Sequence, residues 1–365
     1  MEMEKKKTIP YPYLPPELLI QIFLRLSVKS LIRFKSVCKT WFTLISDYNF
    51  ANSHFKFPAT HTRKILSLSS TKPPQIQSID FEEKLVNNIY SASLSFNSSN
   101  FPLQIKGSCR GFLFLCNSLR FYLWNPSTGF HKQIPLSNSR YSKYLHGFGY
   151  DQSRDDYVVV LIGYDTKVVY HTSCLEFFSL RDNTWKEIKG TRLSYVSSLP
   201  GANRDIGGMI FNGGIHWLAF HCDSVADVIV AFDLMKKKLL EMRIPYNIAV
   251  IPRYCGLWIF GEFLSLWTTR RGHTIEIWMM KEYNVHSSWT NTHIFPINNT
   301  IPYFSPISTK NGDIIGIDDG IGLVKYNDKG HLLAQCSYCD DTSGSQVVIY
   351  TESLLSLPGC DIEQV

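Results

Sequence analysis

The stretch LPPELLIQIFLRLSVKSLIRFKSVCKTWFTLI, residues 14–45, decides how the first part of this chain folds. Within it, residues 18–26 are apolar at seven of nine positions, and only Gln21 and Arg25 interrupt them. A surface helix of a globular protein normally carries one apolar stripe rather than apolar side chains on almost every side. This segment therefore needs cover from the rest of the chain or from another protein.

The same stretch predicts three short helices between residues 14 and 48. Pro15 and Pro16 suit the entry to a helix, and Glu17 places a negative charge in its first turn. Ser27 and Ser30 are candidate N-caps after the first helix. Farther along, apolar residues recur at steps of three and four, the spacing of a packed helical face: Leu31, Phe34, Cys38, Trp41 and Ile45.

The composition of the chain favours folded domains in a reducing compartment. Of 365 residues, 44% are apolar and 19% are charged, which allows a sizeable core. No run of eighteen apolar residues predicts a membrane span, and the first residues lack the pattern of a signal peptide. Nine cysteines without regular spacing suit unbridged thiols. We therefore predict a cytoplasmic location, a nuclear location or both, with no membrane partner.

The net charge of +6 is concentrated at the start of the chain. Residues 1–50 contain eight Lys and Arg against four Asp and Glu, which gives 8 − 4 = +4. Residues 51–365 contain 29 against 27, which gives +2. A basic module suits a partner with an acidic surface. A nucleic-acid partner is not predicted, because that function needs a longer basic face interleaved with aromatic residues.

From residue 62 onward, short strand-forming runs replace the helical spacing. Five segments share one form, in which a strand ends in an aromatic residue and a polar turn leads into the next strand. The separations between their aromatic anchors are 54, 54, 46 and 48 residues. A period near fifty, built of strands and turns, predicts a kelch-like propeller. The anchors are Trp124, Phe178, Phe232, Trp278 and Tyr326.

Four further segments, each led by a glycine, are predicted to be the inner strands of blades: GFLFLCN, GIHWLAF, GEFLSLW and GDIIGID. The last segment, QVVIYTESLLSL at 346–357, is predicted to return to the first blade and close the ring, which would remove an exposed sheet edge. The pattern predicts six or seven blades.

We predict no catalytic residue, no metal ligand and no cofactor. HGFGYD lacks the third glycine of a phosphate-binding loop. His216 and His221 are five residues apart on a predicted strand, so they face opposite sides and do not share a metal. Asp155 and Asp156 are interpreted as a turn between strands. The Cys336–Cys339 pair has no second pair at the spacing of a zinc site.

Residues 14–50 resemble an F-box, the module by which substrate receptors bind the Skp adaptor of cullin–RING ubiquitin ligases. The resemblance rests on Leu14-Pro15, the Ile22-x3-Leu26 step, VKSLIRF at 28–34 and VCKTW at 37–41. Ser27 replaces a frequent proline, and Ile20 and Leu24 stand where the family often has polar residues. The resemblance assigns eleven residues to the adaptor interface or the module core, without separating the two roles: Leu14, Pro15, Leu19, Ile22, Leu26, Val28, Leu31, Phe34, Val37, Cys38 and Trp41.

The rest of the chain resembles the plant F-box-associated domain, which follows F-boxes in receptors that include the S-locus pollen proteins. The motifs are GSCRGFLFL at 107–115, WNPSTGFHKQIP at 124–135, GFGYDQSRDDYVVV at 147–160, NGGIHWLA at 212–219 and YTESLLSL at 350–357. The two resemblances imply an α+β multidomain chain. A flexible tail at 1–13 precedes a small all-α, three-helix F-box at 14–50, a linker follows at 51–61, and an all-β propeller fills 62–365.

The function implied by these resemblances is that of a non-catalytic substrate-recognition subunit of a Skp–cullin–F-box ubiquitin ligase. The F-box would bind the Skp adaptor, and through it the cullin and RING subunits, while the propeller binds a target protein for ubiquitination. One alternative is a glycan-binding, lectin-like propeller joined to an F-box. A second is a kelch-type propeller enzyme such as a copper oxidase, which needs a convergent cluster of His, Tyr and Cys.

Overall fold

The structure is a computed structural model. It describes residues 14–57, 63–69, 75–80, 90–93, 103–117, 120–138, 141, 143–165, 173–188, 195–197, 207–246, 248, 255–270, 274–296, 304–310, 312–318, 322–327, 329–337 and 345–358. The predicted tail at 1–13 and Cys339 lie outside these residues.

Four α-helices form the first described range: α1 (Pro16–Phe23), α2 (Val28–Phe34), α3 (Lys39–Ser46) and α4 (Tyr48–Lys56). The three predicted helices are present, and the side chain of Ser27 caps α2 by accepting a hydrogen bond from the backbone N–H of Ser30 at 3.3 Å. The sequence analysis missed α4, whose N-cap Asp47 accepts from the N–H of Phe50 at 2.8 Å. Residues 51–56, placed in a linker by the sequence analysis, therefore complete a helix.

The strands of the described residues form six blades. Blade 1 contains β1 (Arg63–Ser69), β2 (Gln75–Asp80), β3 (Tyr90–Ser93) and β25 (Ser345–Thr351). Blade 2 contains β4 (Gln104–Cys109), β5 (Phe112–Cys116), β6 (Phe121–Trp124) and β7 (His131–Ile134). Blade 3 contains β8 (Lys143–Asp151), β9 (Asp156–Tyr164), β10 (Cys174–Ser179) and β11 (Thr184–Glu187).

Blade 4 contains β12 (Tyr195–Ser197), β13 (Met209–Phe211), β14 (Gly214–His221), β15 (Ala226–Asp233) and β16 (Lys238–Arg243). Blade 5 contains β17 (Cys255–Phe260), β18 (Phe263–Arg270), β19 (Thr274–Met280) and β20 (Trp289–Pro296), with a 3-10 turn at His286–Ser288. Blade 6 contains β21 (Phe304–Lys310), β22 (Asp313–Asp318), β23 (Gly322–Tyr326) and β24 (Leu332–Ser337).

The last strand closes the ring, as the sequence predicts. Strand β25 pairs antiparallel with β1 from Arg63↔Thr351 to Ser69↔Ser345. It also contacts β4 of blade 2, and β4 contacts β8 of blade 3, so these strands form the inner edges of neighbouring blades. Six blades lie within the predicted range of six or seven, and the predicted fold class, a helical module followed by a β-propeller, is confirmed.

The aromatic anchors occupy one structural position in five blades, on strands β6, β10, β15, β19 and β23. Each of these is the third strand from the inner edge of its sheet, which confirms the period near fifty. The prediction for the glycine-led segments is wrong, because they form the second strands β5, β14, β18 and β22 rather than the innermost ones.

A glycine occupies the turn that precedes each of these second strands. Gly111, Gly261 and Gly312 lead their segments, whereas Gly213 directly precedes the segment led by Gly214; the φ angles of Gly111, Gly213, Gly261 and Gly312 are 81°, 72°, 60° and 87°. Glycine adopts such positive φ values without a steric penalty, as tight hairpins require. An added Cβ would meet no atom within 4 Å at three of the four, so backbone conformation rather than crowding at the axis explains them. The exception is Gly111.

Candidate functional site

The helical module has its own small core. Phe23 of α1 is buried, and its ring lies 4.9 Å from the Trp41 ring of α3 and 5.9 Å from the Phe34 ring of α2. Val28 and Leu31 of α2 are also buried. The inward side of α1 is therefore covered by the helices that follow it in the chain.

Several large apolar side chains of the module are exposed. Leu14, just before α1, and Leu18 and Ile22, within it, are spaced by four residues in the chain and are 44%, 53% and 47% exposed. Val37, between α2 and α3, and Phe42, within α3, are also exposed. We call these five residues the module surface. Single exposed apolar residues are common on proteins. The described residues include twelve large apolar side chains that are exposed, and five of the twelve lie within these 29 residues, which indicates an interaction surface.

The structure sorts the eleven residues that the F-box resemblance selects. Five of them are exposed, four are half-buried and two are buried. The exposed residues are Leu14, Pro15, Ile22, Val37 and Cys38; the half-buried ones are Leu19, Leu26, Phe34 and Trp41; the buried ones are Val28 and Leu31.

Two members of the module surface were missed as site residues by the sequence analysis. Leu18 lies one helical turn before Ile22 in α1, so the spacing of four residues could have identified it. Phe42 follows Trp41 directly and lies off the face that the steps of three and four define, so that spacing could have marked it as outward-facing.

The module also carries exposed basic side chains, and one more lies beside Phe42. Lys29, Arg33 and Lys39 are exposed, and the ammonium group of Lys35 lies 5.9 Å from the centre of the Phe42 ring. Burial lowers the pKa of Lys35 from its usual value. A partner with acidic groups around an apolar centre would match this arrangement, as the concentration of positive charge in residues 1–50 predicts.

Helix α4 joins the module to the propeller through Asp155 in the turn between β8 and β9. The hydroxyl of Tyr48 in α4 donates to both carboxylate oxygens of Asp155 at 2.6 Å. The hydroxyl of Tyr150 donates to the same carboxylate at 2.5 Å. Burial acts to raise the pKa of Asp155, but these two hydrogen bonds, with the charge of Arg110, hold that pKa below its usual value. The predicted turn at Asp155–Asp156 is therefore also a contact of the helical module.

Arg110 makes the second contact between α4 and the propeller. Its Nη2 donates to Oδ1 of Asn52 at 2.8 Å, and its guanidinium lies 5.0 Å from the centre of the Phe55 ring. On the propeller side the guanidinium lies 4.0 Å from the centre of the Tyr150 ring. Such cation–π contacts are strongest where they are partly desolvated. Arg110 thus contacts α4 and blade 3 at the same time.

The two histidines considered as metal ligands have different partners. His216 is buried, and its Nε2 forms a hydrogen bond with the Tyr283 hydroxyl at 2.8 Å. His221 is half-exposed and faces Glu241, with Nδ1 3.3 Å from Oε2. Among the described residues no three His, Cys, Asp or Glu side chains converge as a metal site.

Burial lowers the pKa of His216 to about 4. An unfolded chain would take up a proton at its usual pKa of about 6.5, so the unfolded state binds more protons between these two values. Stability is therefore expected to be complete above pH 6.5 and to fall toward pH 4, by up to about 3 kcal/mol from this group. Denaturation from pH 7 to pH 4.5 should show a smaller loss in His216→Gln than in the parent protein. Equal losses would assign the pH dependence to other groups.

The fold and the module surface define a class of protein, in which a small helical interaction module precedes a six-bladed propeller. Comparison with known families gives the same division. A family described as F-box-like matches residues 11–54, and one described as F-box associated beta propeller domain matches residues 56–351. The chain belongs to the F-box proteins that carry an F-box-associated β-propeller domain.

Relatives from Arabidopsis thaliana match most of the chain. F-box/kelch-repeat protein At3g23880 is 28% identical over 337 residues, which cover 86% of this chain and 87% of that protein. F-box protein CPR1 is 25% identical over 314 residues, which cover 80% of this chain and 75% of that protein. F-box protein At5g49610 is 28% identical over 296 residues, which cover 75% of this chain and 76% of that protein.

The helices that the structure describes are too short to span a membrane.

Proposed function

We propose that this protein is the substrate-recognition subunit of a Skp–cullin–F-box ubiquitin ligase. The helical module binds the Skp adaptor, which connects it to the cullin and RING subunits, and the propeller binds a target protein. The observation that carries the proposal is the module surface, because its five apolar side chains stay exposed although the module core is complete without them. Its place of action is the cytoplasm, the nucleus or both.

The free energy available at this surface suits a specific protein partner. Full burial of a Leu, Ile or Phe side chain stabilises a complex by about 1.5–3 kcal/mol. Since the five residues are roughly half exposed, covering them contributes on the order of 5 kcal/mol. The entropic cost of association, about 4–15 kcal/mol, is as large or larger, so polar contacts must add to this amount. The lysines and arginines of the module are the groups that could make these contacts.

The ubiquitin-transfer chemistry in this proposal belongs to other subunits. The receptor raises the effective concentration of the target near the ubiquitin-conjugating enzyme and supplies no acid, base or nucleophile. The contacts of α4 with Asp155 and Arg110 support this role, because they hold the module against the propeller that carries the target.

The double substitution Leu14→Ala and Pro15→Ala tests the adaptor interface. Co-purification with the Skp adaptor is expected to be lost, while the thermal unfolding of the propeller stays unchanged because both side chains are exposed. Leu136→Ala is the matched control, since this leucine is 48% exposed but lies on the propeller. Undiminished capture of the adaptor by a folded double variant would contradict the proposal.

The target class is tested separately. Affinity capture with the proteasome inhibited, followed by mass spectrometry, should identify a protein whose abundance rises when this receptor is removed. Binding to a glycan array without a captured protein would favour the lectin-like alternative.

A further inference from the structure

Residues 352–358, which follow β25, stay packed against the propeller. We call residues 352–358 the closing segment. Its first residue, Glu352, accepts a hydrogen bond from Nζ of Lys64 on β1 at 2.5 Å. Ser353 and three leucines after it are buried: Leu354, Leu355 and Leu357. A segment with this much buried backbone needs partners for its polar groups.

Asn125, at the end of β6 in blade 2, supplies those partners. It is fully buried, and its Nδ2 donates to the backbone oxygens of Ser353 at 3.1 Å and Leu355 at 3.2 Å. Its Oδ1 accepts from the N–H of Ser127 at 2.9 Å, which fixes the orientation of the amide. The hydroxyl oxygen of Ser127 accepts in turn from the N–H of Ser353 at 3.2 Å.

The hairpin that joins β4 to β5 lies between the closing segment and the helical module. Gly111 contacts the closing segment so closely that an added Cβ would stand 2.1 Å from the Cβ of Ser353. The adjacent residue, Arg110, contacts Asn52 and Phe55 of α4. One turn of two residues therefore touches the closing segment on one side and the module on the other.

The apolar contacts follow the same path. Leu354, Leu355 and Leu357 belong to one continuous cluster of buried side chains with residues of all four helices of the module. The module residues in that cluster are Phe23, Val28, Leu31, Ile45, Phe50 and Ala51. Close-packed side chains have low compressibility and transmit a displacement to their neighbours. A shift of the three leucines would therefore be felt by the module residues of the same cluster.

We propose that the closing segment is a positioning element for the helical module. It is covalently continuous with β25, so it reaches its site only when β25 has paired with β1 and the ring is closed. It then packs against Gly111 of the hairpin, and Arg110 of the same hairpin contacts α4. The orientation of the module depends in this way on closure of a ring whose first and last strands are far apart in the chain. This inference concerns the chain itself and holds for any partner of the module.

Hydrogen exchange on the full chain tests the coupling. Asn125→Ala leaves the carbonyls of Ser353 and Leu355 without a donor, which destabilises the closing segment. Amides of α4 are expected to exchange at least tenfold faster, while amides of β14 and β15 in blade 4 keep their protection. Asn327→Ala is the matched control, because the Asn327 side chain organises the equivalent turn of blade 6 by accepting from the N–H groups of Lys329 and His331. It should leave α4 unchanged.

A second variant keeps the test decisive if Asn125→Ala disrupts the propeller. Leu357→Ala removes buried apolar contacts of the closing segment and leaves the β25–β1 pairing in place. It should also accelerate exchange in α4 and not in blade 4. Unchanged exchange of α4 in both variants, or equal acceleration of α4 and blade 4 in both, would overturn the proposal. Neither outcome depends on whether the Skp adaptor binds.

Discussion

Phe23→Ala is expected to unfold the helical module. The Phe23 side chain is 1% exposed and packs against the rings of Trp41 and Phe34, so its removal leaves a cavity at the centre of three helices. Such substitutions cost about 3–5 kcal/mol, which is a large part of the stability of a small module. Hydrogen exchange of amides in α2 and α3 should report this loss, and adaptor binding should disappear with it.

The adjacent substitution Ile22→Ala is the matched control and should give the opposite result. Ile22 is 47% exposed on the other side of α1, so protection of α2 and α3 should change by no more than about 0.5 kcal/mol. The affinity for the Skp adaptor should nevertheless fall tenfold or more, which corresponds to at least about 1.4 kcal/mol in binding free energy. If Ile22→Ala unfolds the module, or Phe23→Ala leaves it folded, the assignment of the two sides of α1 is wrong.

Gly111→Ala is expected to destabilise the propeller more than the same change at any of the other hairpin glycines. Its φ of 81° is unfavourable for alanine by about 1–2 kcal/mol. Because the new Cβ would also collide with Ser353, forced repacking should add about 1–3 kcal/mol. Denaturant unfolding monitored by tryptophan fluorescence measures the total.

Gly213→Ala separates the two contributions. Gly213 has a φ of 72° and occupies the same position in the first hairpin of blade 4, but no atom lies within 4 Å of an added Cβ. Only the conformational cost of about 1–2 kcal/mol is expected there. Equal losses in the two variants would show that the contact between Gly111 and the closing segment relaxes without cost.

Local sequence signals predicted those parts of the structure that depend on neighbouring residues. The N-cap at Ser27 follows from helical geometry, and so does the spacing of Leu31 and Phe34 in α2 and of Trp41 and Ile45 in α3. The period of the aromatic anchors follows from repetition of one four-stranded unit, and five blades carry an anchor on the third strand. The strand position of the glycine-led segments was predicted wrongly, because a glycine before a strand shows that a hairpin is present and does not show how far the strand lies from the axis.

Helix α4 shows why part of the site escaped the sequence analysis. It contains polar residues such as Asn52 and His54, and it joins the propeller through hydrogen bonds of Tyr48 with Asp155 and of Asn52 with Arg110. The sequence does not show those contacts, so the polar composition of residues 51–56 was interpreted as part of a linker. The apolar excess of α1 was visible at once, but whether another part of the chain covers it depends on where α2, α3 and α4 pack.

A short helical module with too many apolar residues, followed by a ring of repeated four-stranded units, can be recognised from the amino-acid sequence. This is possible because the periodicity of side chains within one helix, one hairpin or one repeat is a local property. The outward-facing members of the eleven F-box positions, and the contacts that hold the module to the propeller, are visible only in the folded chain. Those features depend on pairs far apart in the chain, such as Tyr48 with Asp155 and Asn125 with Ser353, which are separated by 107 and 228 residues. Such pairs leave no period in the sequence, since each contact is made once.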